Sequence, residues 1–538
     1  MKSTIRIIHI RRGEGILRNE RGLVLPIALI FLVILSIMGI AAIMTSTSTT
    51  AVFGGLRRAD EALYYAEAGI EAAKKIIAQT SPNFDSVYLA SGRLYLPGED
   101  GYGKVTYGNG SYTVLLLNNE DDPGYPGPGH PENLEKDGRY IIHSKGVAGD
   151  AAKTLEVVVE SFSRFFYFTE LEEAPGTVGE TDLAERFVFF RTGDDMDGPV
   201  HSNGQFHISG NPTFLALASS GSGQAPYYLA GSASEASIFL GGTNWNRPII
   251  LPVGPNGTFG DVDDLDDVWS GAQARGRIYD TYDTSTSSAW EYRVHFRGDR
   301  GMEADIYKKP ENGADWTLVE TLVISSSFNG VVYFHGGGPV HVGGKIQDSG
   351  SASQIGKLDP TGGTASTVKG RWTICSARNP DGSDTQTPGE IRIVGDVTYR
   401  GSYTSGDPFP TVGTDPEGLL GLVSANNVVI RELGEDTAQA IRNNGLTIHA
   451  SIMATSNDQA SFSVETALLE SVPGSLGKQI NLLGGLIQYR RGVVGRFNTT
   501  AGLVLGFQKN YRYDTRLYYM TPPSFPLALN LKIKSWKE

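Results

Sequence analysis

Nine histidines and a set of acidic turns are the residues best suited to chemistry in this 538-residue chain. His201 and His207 flank one turn, and His335 and His341 flank another. The two turns echo each other: Gly198-Pro199-Val200-His201 is followed by Gly204, and Gly338-Pro339-Val340-His341 by Gly344. Stacked on each other, the echoes would converge four imidazoles into a metal site of the kind that binds zinc. The Gly and Pro residues break the phase of both runs, so histidines lining coil corners and bonded to backbone are the plainer expectation. Acidic runs offer a second possibility. "GDDMDG" holds Asp194, Asp195 and Asp197, and "GDVDDLDDVW" holds Asp261, Asp263, Asp264, Asp266 and Asp267. Calcium is bound by several carboxylate and carbonyl oxygens on a flexible loop. Neither run has the Glu at the twelfth position of an EF-hand loop, and solvated acidic turns are the alternative.

Other chemistries find less support. Paired carboxylates could hydrolyse glycosides, but no motif singles out a pair. There is no nucleophile elbow, P-loop or HExxH. The single cysteine, Cys375 in "RWTICSARN", excludes an intrachain disulfide and a multi-thiolate zinc site. Its apolar, strand-like setting points to a buried structural residue. The segments "YRRGVVGR" and "QKNYRYDTR" mix Arg with Tyr, which suits a polyanion or sugar, or more simply solvent-facing strand positions. The chain carries a net charge of −13 although its first 22 residues are basic (Lys2, Arg6, Arg11, Arg12, Arg18 and Arg21 against Glu14 and Glu20). The remainder is therefore more acidic still and repels phosphate backbones, so no nucleic-acid partner is expected.

The elements that would position these residues begin with an apolar run. From Leu23 to Met44 no charge occurs, a length that crosses a hydrocarbon core of ~30 Å as a helix. Pro26, Ile27 and Met44 lie on this span. Basic residues precede it, so the leader is expected to stay cytoplasmic and the body to be exported. The helical pattern continues through Arg57–Gln79, where Leu63, Ala66, Ile70, Ala73 and Ile77 form one apolar stripe. "STSTTAVFGG" (Ser46–Gly55) is where a bend is expected. Strands with Gly and Asn turns follow in Lys104–Asp121 and Asp137–Arg164, separated by a Pro/Gly loop. His130 falls in that loop and His143 on a strand. From about Phe166, runs of three to five Val, Ile and aromatic residues recur between small-residue corners. These suit a right-handed parallel β-helix-like domain. No fixed period is visible, and a sandwich of short strands is the alternative. Thr281–Asn329 reads as an inserted antiparallel layer.

The residues from Gly22 through "LVLPIALIFLVILSIMGIAAIM" to "RRADEALYYAEAGIEAA" resemble the N-terminus of PilX-type minor pilins. That resemblance implies a 22-residue prepilin leader, cut by prepilin peptidase between Gly22 and Leu23, with methylation of the new N-terminus. It implies a membrane and amphipathic helix over residues 23–80 and a pilin-like α+β unit completed by a small sheet over residues 81–165; the run pattern then gives the β-rich, β-helix-like domain residues 166–538, with its insertion at about 281–329. Filament subunits usually carry Glu at the fifth mature position; here it is Ile27. A subunit without that carboxylate leaves a neighbour's N-terminal amine unpaired, so a tip or initiating role is expected. "GPVHSNG" and the closing "GLIQYRRGVVGRF" resemble an uncharacterised domain found behind PilX-like N-termini. The expected protein is structural and non-enzymatic. Its partners would be other pilin or pseudopilin subunits, prepilin peptidase, the inner membrane, and a host, abiotic or polysaccharide surface. No cofactor is expected, save calcium if the acidic turns bind it. The alternative is an uncleaved, anchored exported protein that binds or degrades polysaccharide.

Overall fold

Helix α1 runs unbroken from Val24 to Thr80. The bend expected at Ser46–Gly55 does not occur. The hydroxyls of Thr45, Thr47, Thr49 and Thr50 donate to the carbonyls of Ala41, Ile43, Thr45 and Ser46, one turn back, at 2.7–2.9 Å. A hydroxyl satisfied within its own helix competes little with the backbone ladder, so this polar run stays helical. Pro26 sits in the first turn, where a missing N–H costs nothing. The computed structural model describes residues 24–80, 93–95, 104–117, 139–175, 187–229, 231–246, 249, 265–283, 288–311, 313, 315–359, 361–379, 386–411, 417–433, 440–455, 459–498, 502–518 and 520–530.

The lower part of α1 packs on an antiparallel sheet of β1 (Gly110–Leu117), β2 (Arg139–Ala148) and β3 (Ala151–Ser161). Ala62, Ala66, Ile70 and Ala73 are its buried stripe. Small residues face each other across this contact: a Cβ on Gly146 would lie 2.0 Å from the Ala62 carbonyl oxygen. The helix backbone therefore rests directly on β2. A strand far along the chain, Leu527–Asn530, pairs antiparallel with β3.

The body is built on parallel pairing. β4 (Tyr167–Leu171), β5 (Val200–Ser202) and β6 (Ala218–Ser220) pair in succession. Helix α2 (Asp266–Arg275) then leads to β7 (Arg277–Asp280), β8 (Val331–His335), β9 (Gly370–Ser376), β10 (Gly418–Ser424), β11 (Leu446–Ala454) and β12 (Gln479–Arg490), each parallel to the next. Across the sheet the order is Thr243–Asn244, then β6-β5-β4-β12-β11-β10-β9-β8-β7. The chain thus starts in the middle, moves out to one edge, crosses to the other and returns strand by strand until β12 lies beside β4.

A second sheet stacks Val340–Val342, Ile391–Ile393, Val428–Ile430 and Phe462–Val464 in parallel. Its other end is an antiparallel layer of Ser288–Phe296, Glu303–Pro310 and Thr317–Val323. Between the sheets lies one apolar core that includes Phe334, Val342, Trp372, Ile393, Leu422 and Ile452. The outer face of the long sheet is buried as well. Tyr333, Cys375, Val423, Met453 and Ile487 lie beneath α2, Phe162, Phe165 and Phe525. Burial on both faces explains continuous apolar runs such as Val331-Val332-Tyr333-Phe334. Near the start the parallel partners are evenly spaced, for Phe190↔Ile208, Asp195↔Thr213 and Val200↔Ala218 are each 18 residues apart. Later spacings are irregular: 51 residues for Val340↔Ile391, 37 for Ile391↔Val428 and 34 for Val428↔Phe462.

Candidate functional site: an uncovered helix and a closed seam

The upper half of α1 is bare. Leu25, Ile27, Leu35 and Met44 are exposed, Ile27 to 46% and Met44 to 67%, and no residue from Leu25 to Phe53 is packed on the body. Its first turn carries no acidic side chain. The helix is long and apolar enough to cross a membrane. Soluble surfaces rarely leave so much contiguous apolar area uncovered; such area marks contact with lipid or with other chains. Gly22 and Leu23 lie outside the described residues, as do His130, Asp261, Asp263 and Asp264.

The second concentration of chemistry is the seam where β12 meets β4. Arg491 is 2% exposed and donates from Nη1 to Glu172 Oε2 at 3.1 Å and to the Val188 carbonyl at 3.2 Å. Glu172, 1% exposed, also accepts from the Thr169 hydroxyl. Burial raises the Glu172 carboxyl above the usual range although the Arg491 guanidinium pulls it down. Alongside, Arg490 donates to Glu173 at 2.8 Å. Arg491 also stacks over Phe190, 4.1 Å from the ring centre. The Gly484-Gly485 pair lets the strands close: a Cβ on Gly485 would lie 2.3 Å from the Phe165 carbonyl oxygen. Solvent-facing positions, expected in "YRRGVVGR", hold for the half-exposed Arg496 but not for Arg490 and Arg491. The carboxylate partner of Arg491 lies 319 residues earlier, and only the closing of the sheet brings them together.

The histidines do not converge. His201, in β5, is fully buried and hydrogen-bonded to Ser219 Oγ at 2.7 Å and Asn203 Oδ1 at 2.9 Å. His341, also fully buried, lies on the second sheet, 2.9 Å from Glu291 Oε2. His207 is on a third sheet, stacked against Phe187 at 4.1 Å, and His335 ends β8. The four-imidazole site proposed by the sequence echo is therefore absent. His201 and His341 sit within strands rather than at corners, because parallel pairing buries both faces at those positions. His143 sits in β2 and pairs with Glu156 at 2.9 Å.

The carboxylates of "GDDMDG" also point to separate partners. Asp194 accepts the Arg191 N–H at 2.9 Å, Asp195 accepts from the Thr213 hydroxyl, and Asp197 accepts the Tyr513 N–H at 2.8 Å. Among the described residues, no group of three or more His, Cys, Asp or Glu side chains is placed to hold a metal ion. Cys375 is fully buried in β9, where desolvation pushes its thiol well up.

With this geometry in place, the PilX N-terminal family model matches residues 21–71, the span that contains the bare helix and its first packed turns. The chain opens with a PilX-type pilin N-terminus. That start relates the protein to type IV pili. A domain of unknown function, DUF4900, matches residues 134–223. The match runs from β2 and β3 through β4, β5 and β6, so it straddles the junction between the helix-packed sheet and the body. Among solved structures, the competence-associated pilin ComZ from Thermus thermophilus is 13% identical over 89% of this chain and 97% of its own, with a TM-score of 0.31. That likeness is too slight to bear on the overall fold. No curated protein matches the chain.

Proposed function

We propose that the protein is a minor, pilin-like structural subunit of a type IV pilus or pseudopilus, held in the inner membrane by α1 and then added at or near the tip of the filament. The bare upper half of α1, continuous with a lower half packed on its own sheet, carries this reading. One end is free to be transferred from lipid to the hydrophobic contacts of neighbouring pilin helices, while the other holds a folded body. Ile27 supports the tip position, since it offers no carboxylate to the amine of a subunit added next.

On this reading the helix with β1–β3 is a pilin-like α+β unit. The parallel stacks are coils of a β-helix-like solenoid, carried outside the inner membrane in the periplasm or on the cell surface. The body acts in assembly or adhesion, against a surface or polysaccharide, and no catalysis is invoked. Mass spectrometry of the mature N-terminus is the direct test. A methylated Leu23 as first residue is the expected result. An intact leader overturns the reading and favours an anchored protein acting on polysaccharide. Deleting the gene should also lower piliation or adhesion while polysaccharide turnover stays normal.

A further inference from the structure

At the seam the last long strand of the body brings an amine against a carboxyl of the first coil. Lys509, in the Gln508–Tyr513 strand beside β12, places Nζ 3.9 Å from Asp194 Oδ1, and the two side chains are only 21% and 14% exposed. The other oxygen of Asp194, Oδ2, accepts the Arg191 N–H at 2.9 Å and faces Arg491 Nη2 at 3.8 Å. One oxygen of the carboxyl therefore faces a nucleophile, and the other lies between a backbone N–H and a guanidinium. Donors fixed in this way stabilise an oxyanion that develops between them.

Among the described residues, the other lysine–carboxylate pairs lack this combination. Lys357–Asp315 and Lys369–Glu417 have a half-exposed or more exposed carboxylate. In Lys309–Glu291 the carboxylate is shared with His341 and the ammonium lies over the Trp316 ring. Burial also brings the Lys509 amine down to about 8, so an appreciable part of it is neutral and nucleophilic near neutral pH.

We propose that Lys509 Nζ and Asp194 Cγ condense into an isopeptide bond that ties the first coil to the last long strand. The Lys509 ammonium passes one proton to Asp194 Oδ1, and the amine so freed adds its lone pair to Cγ. The charge this creates on Oδ2 is held by the Arg191 N–H and Arg491. When the carbonyl re-forms, Oδ1 leaves with the carboxyl proton and one amine proton as water. A secondary amide and one water are the products, with no change in oxidation state. The bond removes two charges from a largely buried site, and with them the desolvation that each imposes. It also makes covalent a closure that otherwise rests on the β4–β12 ladder and the Arg491–Glu172 pair.

Intact-mass measurement and peptide mapping of the full chain, purified in detergent, test the bond. The expected protein is lighter by one water than the mass calculated from its observed N-terminus. Its digest should contain a branched peptide joining the Lys509 and Asp194 segments. Lys509→Arg and Asp194→Ala should run at full mass with the two peptides separate. Asp194→Asn should lose ammonia instead of water and reach the same final mass as the wild type. Separate peptides and full mass in the wild type, after long incubation above pH ~8 where the amine is neutral, overturn the proposal. So does loss of water without a branched peptide, as an aspartyl succinimide would give. These outcomes do not depend on whether Gly22 is a cut site, so they are distinct from a failure of the pilin reading.

Discussion

Three imidazoles in the body are held neutral by burial. Desolvation brings His295 down to about 3, and His341 and His449 to about 4, from an ordinary 6.5. His449 shows the cause most plainly: it is fully buried among Tyr399, Tyr403 and Phe409, accepts the Tyr399 N–H at 3.1 Å and lies 2.9 Å from the Pro408 carbonyl. Below pH 6.5 the unfolded chain takes up protons at these positions while the folded chain does not. The stability they contribute is complete above 6.5 and is lost as pH falls toward 4. Thermal melts of the body across that window should show a falling midpoint, and His449→Gln should flatten the fall. Arg491 allows a second test at this scale. Replacing it with Met leaves Glu172 buried beside an apolar chain, and the expected cost is about 3–5 kcal/mol in denaturant unfolding. A change below ~1 kcal/mol would show that the pair is not a structural tie.

Among the elements, α1 and β2 depend most on each other. Gly146 has no room for a side chain against the Ala62 carbonyl, so Gly146→Val must push the helix away from the sheet. Overpacking of this kind costs about 1–3 kcal/mol. Hydrogen exchange should report it as lost protection over Ala62–Ala73 with the parallel sheets of the body unchanged; equal loss everywhere would contradict a local contact. The Ser46–Gly55 region of α1 invites the opposite test. Replacing Thr47 and Thr50 with Ala should leave helicity in detergent unchanged or slightly higher, because their hydroxyls serve only their own helix.

For the whole molecule, the order of strands has a consequence for how folding is completed. β4 pairs with β12, and β3 with Leu527–Asn530, so both sheets are completed by segments far along the chain. A chain ending at Pro526 should keep its parallel core but expose the edge of β3. Limited proteolysis is then expected to cut between β3 and β4 in the truncated chain and to spare the full one. Equal resistance would mean that the last strand adds nothing to closure.

The amino-acid sequence by itself determined the features whose causes are local. The span and polarity of α1 follow from uninterrupted apolar length and a stripe at helical spacing, and the antiparallel layer around Ser288–Val323 follows from strands joined by short turns. The body's short strands were legible for the same reason, since each is a run bounded by small residues. Only the tertiary structure decided which strands are neighbours. Parallel partners 34 to 51 residues apart leave no period to read, and the β4–β12 ladder joins residues more than 300 apart. The fate of the polar side chains went with that pairing. His201 and His341 look alike in sequence because both follow Gly-Pro-Val, yet they end on different sheets. Arg491 looks like a surface residue until β12 closes on β4, because burial belongs to the neighbours that a residue acquires.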